Sequence, residues 1–265
     1  GRLEQNKAKA RILFCLTLLY SALFCLNMLF VVVPAYNEEK NIGRVIGGLF
    51  EKGITRIEDK MIPRINNGLT LMTVVVVDDG SSDNTAEVAK SVGAVVLKHE
   101  VNRGQGAALQ TGDEYALENG ATAVVHFDAD GQFNPADIIQ ALVVMKEKNA
   151  DVILGSRFLD NRSQIPWTKK HLVLPVARLI NYFLTGLKLT DAHNGFRILS
   201  RKALEKINIS QDRMAHNSEI IKQIKQKNLS YLEYPVEVTY NEYGQGVAGG
   251  LKIVWEILQG RFMRH

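Results

Sequence analysis

Met72-Thr73-Val74-Val75-Val76-Val77, running into Asp78-Asp79-Gly80-Ser81-Ser82-Asp83-Asn84-Thr85, decides the fold. Val74 to Val77 is apolar at every position, so neither face of the segment is reserved for water. Such runs belong to strands covered on both sides, as in a parallel sheet with helices above and below. The polar cluster ends the strand, and a helix follows near Thr85 to Ser91.

The same unit recurs outward in both directions. Leu29 to Val33 predicts the first strand, closed by Pro34-Ala35-Tyr36-Asn37-Glu38-Glu39. Ile42, Val45, Ile46, Leu49 and Phe50 then follow at helical spacing. A loop with Pro63 and Asn67-Gly68 leads to the strand at Met72 to Val77. Downstream, a strand at Ala94 to Leu97 precedes a helix from about Gly106 to Leu117, which Asn119-Gly120 ends before a strand at Thr122 to Phe127. Asn134-Pro135 opens a helix as cap and first-turn residue, and Val152 to Leu154 is another strand. Beyond Ser156 the rhythm weakens, with helices expected near 172–187, 200–206 and 215–227, a strand at Tyr231 to Val238, and a last helix from about 250. Strands alternating with helices predict an α/β, mostly parallel sheet covered by helices.

Composition fits one large domain: 265 residues, 46% hydrophobic and 23% charged. A net charge of +4 suits contact with phosphates or anionic lipid, and no basic patch interleaved with aromatics points to nucleic acid. Cys15 and Cys25, both in an apolar run, exclude a disulfide framework or a cysteine zinc site around the strand ends. That run extends from Ile12 to Val33, and its last part is the first strand. The remaining segment, about 15 residues after Lys7, Lys9 and Arg11, reads as a membrane-seated helix, with a buried helix or an upstream extension as alternatives. The expected division is therefore 1–27, an apolar segment and possible anchor, and 28–265, a catalytic domain.

Polar clusters stand at three strand ends, where open α/β sheets bind ligands. In Phe127-Asp128-Ala129-Asp130-Gly131-Gln132, Asp128 and Asp130 can face one hard divalent cation, with Gln132 adding a carbonyl oxygen. Mg²⁺ or Mn²⁺ held there neutralises a departing diphosphate. Asp78 or Asp79 is suited to accept from a nucleobase and Tyr36 to stack on it, the alternative for Asp78 to Asn84 being a helix-capping turn. Gly104-x-Gly106 reads equally as a phosphate cradle or a tight turn into a helix.

The succession Pro34–Glu39, Asp78–Thr85, Asn102-Arg103-Gly104-Gln105-Gly106, Asp128–Gln132 and Gly155-Ser156-Arg157 resembles glycosyltransferase family 2 with the GT-A fold, a Rossmann-like nucleotide-diphospho-sugar transferase architecture. Within that family it is most similar to the dolichyl- or polyprenyl-phosphate sugar synthases. The resemblance implies nucleotide contacts from Pro34, Ala35, Tyr36, Glu38, Asp79 and Gly104, with Asp128 near ribose or metal. It implies Asp130 as main metal ligand, Gln132 assisting, and Arg157 beside phosphates. Asp191-Ala192-His193-Asn194-Gly195-Phe196-Arg197 resembles the family's Asp…Gly-Phe-Arg segment, which offers Arg197 to a phosphate. In Met214-Ala215-His216-Asn217-Ser218-Glu219, Glu219 is the candidate base or acceptor-orienting group, while His216 reads as structural. Two departures stand out. Gln105 occupies a position where relatives often have Lys, and Tyr240 to Val247 lacks the Arg and Ser of the mannose synthases, for which Lys169, Lys170 and His171 are possible substitutes.

The expected activity is metal-dependent, inverting sugar transfer from a UDP- or GDP-sugar to a polyprenyl or dolichyl phosphate. The expected location is the cytoplasmic face of a membrane, where nucleotide sugars are available. Apolar stretches at Leu172 to Leu189 and at Leu251, Val254, Trp255, Leu258 and Phe262 support membrane contact. The alternatives are transfer to a hydroxyl with Glu219 as base, and nucleotide-sugar binding without transfer. Nucleotidyl transfer would want a Gly-rich basic loop after the first strand, and an NAD enzyme a G-x-G-x-x-G there; the chain has Pro34–Glu39 instead.

Overall fold

The computed structural model describes residues 27–51, 55–57, 60–62, 64–65, 68–160, 162, 182, 185–192 and 194–239. The N-terminal segment before Asn27, Lys169 to His171, most of the helix expected at 172–187, and everything from Tyr240 onward lie outside the described residues.

Strands β1 (Asn27–Ala35), β5 (Gly68–Asp78), β6 (Val95–Lys98), β7 (Ala123–His126), β8 (Val152–Ser156), β9 (Arg197–Ser200) and β10 (Tyr231–Pro235) form the body of the sheet. They lie in the order β6-β5-β1-β7-β9-β8-β10. All run parallel except β9, which is antiparallel to both β7 and β8. Three short strands, β2 (Thr55–Ile57), β3 (Lys60–Ile62) and β4 (Arg64–Ile65), occupy the stretch expected as a loop and pair antiparallel onto one another or the first half of β5.

Alternation along the strands explains the unbroken apolar runs. Leu29, Val31, Val33, Val74 and Val76 face one core, under α1 (Glu39–Glu51), α2 (Thr85–Ser91) and α4 (Ala136–Glu147). Phe30, Val32, Val75 and Val77 face the other, under α3 (Gln105–Glu118), α5 (Arg201–Leu204) and α6 (His216–Gln226). Each side chain from Val74 to Val77 is buried, and full burial of such a chain contributes on the order of 1.5–3 kcal/mol. A charged replacement at any of them would therefore break one of the two cores. At the start of α4, Pro135 is already helical (φ −58°, ψ −25°) and the Asn134 side chain accepts from the Ala136 N–H at 3.0 Å. The expected cap and first-turn pairing is thus present.

Besides β2 to β4, two more elements differ from expectation. β9 was hidden because it is four residues long and only its two middle residues, Ile198 and Leu199, are apolar. β10 ends at Pro235 rather than Val238, and the chain continues as a strap whose Val238 bridges Phe133. Among the described residues no helix is long and apolar enough to cross a membrane.

Candidate active site

β1 is central, with β5 on one side and β7 on the other, so the connections leave in opposite directions and open a crevice at the carboxyl ends. Ala35 pairs with Asp78, and the Phe127 N–H donates to the Val32 carbonyl, so the three polar clusters meet there.

The first two clusters are interlocked. Asn37, at φ +56°, receives at its Oδ1 the Ser82 N–H, while its own N–H donates to Ser81 Oγ, both at 2.9 Å. The Glu38 N–H donates to Thr85 Oγ1 at 2.8 Å, and the Glu39 carboxylate accepts from Asn84. Glu38 accepts from Asn41 at 2.8 Å, so its carboxylate also shapes this loop. Pro34 and Ala35 are buried at the floor, and the Tyr36 ring stands 49% exposed at the rim.

Asp78 and Asp79, equivalent in the sequence, are different here. Asp79 accepts from the Arg103 N–H at 2.9 Å, the Gly104 N–H at 2.6 Å and His99 Nδ1 at 2.7 Å, which holds the 102–104 turn. Asp78 Oδ1 accepts from the Ser81 N–H at 2.9 Å. Its Oδ2 is buried with no hydrogen-bond donor among the described residues, and Lys98 Nζ stands 3.7 Å away. Asp78 therefore carries the open acceptor. The Gly104-x-Gly106 turn is not a free phosphate cradle: the Gly104 N–H is held by Asp79, and those of Gly106 and Ala107 by the Asp212 carbonyl.

The Asp128–Gln132 loop follows β7. Phe127, Phe133 and Phe196 meet edge to face, with centroids 5.6–6.5 Å apart, and anchor it to the residues before β9. Since His126 pairs with Arg197, continuing the register sets Asp128 opposite Gly195. A Cβ on Gly195 would lie 2.2 Å from Asp128 Oδ2, so only a bare Cα fits beside that carboxylate. Gln105 Nε2 donates to Asp128 Oδ1 at 2.9 Å, and the Gln132 N–H to Asp130 Oδ1 at 3.0 Å. Burial, then the charge of Asp130, pushes the Asp128 carboxyl up to about 6, against Arg197, His126 and the Gln105 hydrogen bond. Burial also raises Asp130, opposed by the Gln132 N–H and by Arg44.

These residues fit a divalent cation. Two carboxylates destabilised as anions by desolvation, one of them also by its neighbour, are relieved by a bound positive charge. The Gln132 side chain makes no hydrogen bond among the described residues, and its carbonyl is available beside them. No group of three or more His, Cys, Asp and Glu side chains among the described residues is arranged to hold a metal ion. Mg²⁺-type sites built on one or two carboxylates take their remaining oxygens from water and substrate phosphates.

The acceptor-side residues change roles. Arg157 forks onto Asp191 (Nε to Oδ2 2.6 Å, Nη2 to Oδ1 2.8 Å), which fastens Thr190 and Asp191 beside the end of β8. Thr190 is tied there by Glu233 and Ser156. Arg197 is corrected. It is 1% exposed within β9, donates to Asn217 Oδ1, and leaves Nη1 without a partner among the described residues. Burial pulls it down to about 10 against the charges of Asp128, Asp191 and Asp113. Its guanidinium lies inside the sheet, linked to Asn217, rather than exposed at the surface as a phosphate ligand was expected to be. His216 is buried, its Nδ1 lies 2.7 Å from the Arg213 carbonyl, and burial, then Arg197, pulls it down to about 3. It is neutral and structural, as expected. Both Glu219 oxygens are engaged: Ser210 Oγ donates to Oε1, and the Ser210 and Gln211 N–H groups donate to Oε2 at 3.0 and 2.9 Å. Glu219 is a clamp on the 210–211 turn and would have to release it to act as a base. Gly195 and Asn217 were not foreseen as supports of this site, because they meet it only through the unforeseen β9, and Gln105, noted where relatives often have Lys, turns out to hold Asp128.

The family model described as glycosyl transferase family 2 matches residues 30–208, which includes all three strand-end clusters. The chain belongs to glycosyl transferase family 2. It is 30% identical over 257 residues, 88% of this chain and 95% of the other, to UDP-N-acetylglucosamine–dolichyl-phosphate N-acetylglucosaminyltransferase of Methanococcus voltae. It is 28% identical over 233 residues, 84% of this chain and 82% of the other, to polyprenol monophosphomannose synthase of Mycolicibacterium smegmatis. In fold it is similar to glucosyl-3-phosphoglycerate synthase from Mycobacterium tuberculosis, crystallised with Mn²⁺ and UDP-glucose. That match has a TM-score of 0.57 at 19% identity and covers 88% of this chain and 77% of the other. This family 2 glycosyltransferase thus has the GT-A fold that its motifs led us to expect.

Proposed function

We propose that this glycosyltransferase moves a sugar from a UDP- or GDP-sugar to a polyprenyl or dolichyl phosphate, at the cytoplasmic face of a membrane, with inversion. The observation that carries the donor half is the pair of desolvated carboxylates, Asp128 and Asp130, across the switch-point crevice from the open, buried Asp78 Oδ2. Asp78 Oδ2 accepts from a ring N–H of the base, Tyr36 stacks on it, and Pro34, Ala35, Glu38 and Asp79 shape the wall. Asp128, Asp130 and Gln132 hold Mg²⁺ or Mn²⁺, which when bound offsets the charge of the leaving diphosphate. Gln105 and Gly195 fix Asp128, and the Arg157–Asp191 fork sets the acceptor side.

The acceptor half rests on the absence of an idle base among the residues expected to supply one: Glu219 is clamped and His216 is buried and neutral. A phosphate oxygen attacks the anomeric carbon without losing a proton, and the carbon–oxygen bond to the diphosphate breaks with its electron pair leaving on the nucleotide. The names of the M. voltae and M. smegmatis relatives support this acceptor class. Residues 28–265 are the catalytic domain in this reading, and 1–27 help seat it on the membrane.

Two expected results test the two halves. Glu219→Gln keeps transfer to a short-chain polyprenyl phosphate within about threefold of wild type, because no proton has to be removed. A loss of about 10²- to 10⁴-fold, the usual contribution of a positioned base, would point instead to a hydroxyl acceptor. Asp78→Asn must still offer an oxygen to the Ser81 N–H, which turns its amide NH₂ toward the base. We expect nucleoside diphosphate affinity to fall about tenfold or more. Unchanged calorimetric affinity would make Asp78 a turn-capping residue only.

A further inference from the structure

Arg44 is an exposed residue on α1, outside every cluster that the sequence singled out, and its guanidinium reaches the Asp130–Gly131 turn. It lies across Gly131, the residue after Asp130: a Cβ there would be 2.7 Å from Nη2, 3.1 Å from Cζ and 3.2 Å from Nη1. Gly131 itself is at φ +74°, a backbone conformation that calls for glycine. Among the described residues the hydrogen bonding of Arg44 is a single long contact from Nη2 to Asn41 Oδ1, at 3.3 Å. No carboxylate among them lies within ion-pair distance, although its charge does favour ionised Asp130. Most of the five donors of this planar fork are thus unused beside a loop that faces a diphosphate in the reading above. Guanidinium matches phosphate oxygens in pairs, and charge-assisted contacts of this kind are the strong ones.

We propose that Arg44 is a diphosphate-binding residue of the donor site, a protein cation that acts on the opposite side of Asp130 from the crevice floor. The inference rests on the reading that the diphosphate comes to Asp128 and Asp130. In that position Arg44 also balances the charge of Asp130 before a donor arrives, and as an exposed residue with one long hydrogen bond its head can move from Gly131 to the phosphates.

The test is calorimetric titration of the full chain, in excess chelator, with UDP, GDP, uridine and guanosine. Chelation removes the metal-bridged contribution and leaves the protein's own grip on the phosphates. We expect Arg44→Gln to weaken binding of the favoured diphosphate about tenfold, leave the matching nucleoside unchanged, and give a circular dichroism spectrum like that of wild type. Arg44→Lys, which keeps the charge and loses the fork, should fall between the two. Equal diphosphate affinity in wild type and Arg44→Gln overturns the role of Arg44 while leaving the site reading intact. Failure of wild type to bind either diphosphate, with or without added Mn²⁺, overturns both.

Discussion

Asp130→Asn lowers turnover on the order of a hundredfold or more, as loss of one preorganised electrostatic group does, without lowering the melting temperature. The substitution keeps an oxygen for the Gln132 N–H and removes a charge that burial already disfavours, so the fold loses nothing. What is lost is half of the negative charge that faces the cation as the diphosphate departs. The wild-type rate should also fall as pH drops through about 6, because Asp128 gains a proton there and a cation must displace it. The linkage has a definite sign. Folded Asp128 binds its proton more tightly than the ordinary value of 3.8 allows, so ionising it costs stability as pH rises from about 4 to about 6. With Asp130 neutral, one of the two causes of that shift is gone, and the acid limb should move to lower pH. Steady-state rates at a fixed Mn²⁺ concentration below saturation, followed across pH, check this; full activity in Asp130→Asn, or in excess chelator, contradicts it.

Gly195→Ala should be nearly as damaging, although it adds one methyl group. Its Cβ would sit 2.2 Å from Asp128 Oδ2 and 2.8 Å from Cγ, so the carboxylate must turn away and give up Gln105. Misplacement of a reacting group by about 1 Å costs about 10²-fold, and we expect a loss of that size together with weaker Mn²⁺ binding in a folded protein. Gly47→Ala in α1 is the control, since nothing lies within 4 Å of the added methyl. Turnover and Mn²⁺ titration of the two variants separate the effects. A Gly195→Ala enzyme indistinguishable from Gly47→Ala would show that Asp128 is not held where the structure places it.

The parallel body of the sheet was legible in the sequence because each strand carries its own signal. Val74 to Val77 is apolar throughout as its residues alternate between two cores, and the polar clusters mark the ends that form the crevice. The Asp128 and Asp130 pair was legible for the same reason: its carboxylates stand one residue apart in the chain. Roles that depend on distant pairing were not. Nothing local tells Asp78 from Asp79; the difference is that the 102–104 turn comes back onto Asp79. Arg197 resembles a phosphate ligand until β9 is known to insert between β7 and β8 and carry it inside. Glu219 resembles a base until the 210–211 turn is seen to occupy it. For Asp79 and Glu219, a carboxylate suited to chemistry answers first to backbone N–H groups that need an acceptor.

The central claim is transfer to a lipid phosphate, and the direct measurement is product formation from radiolabelled UDP- and GDP-sugars with a short-chain polyprenyl phosphate and Mg²⁺ or Mn²⁺. The account predicts a labelled polyprenyl phosphate sugar formed one for one with released nucleoside diphosphate, and lost when chelator is added. Absence of that product with every donor tried, from protein that binds the nucleoside diphosphate, would contradict it.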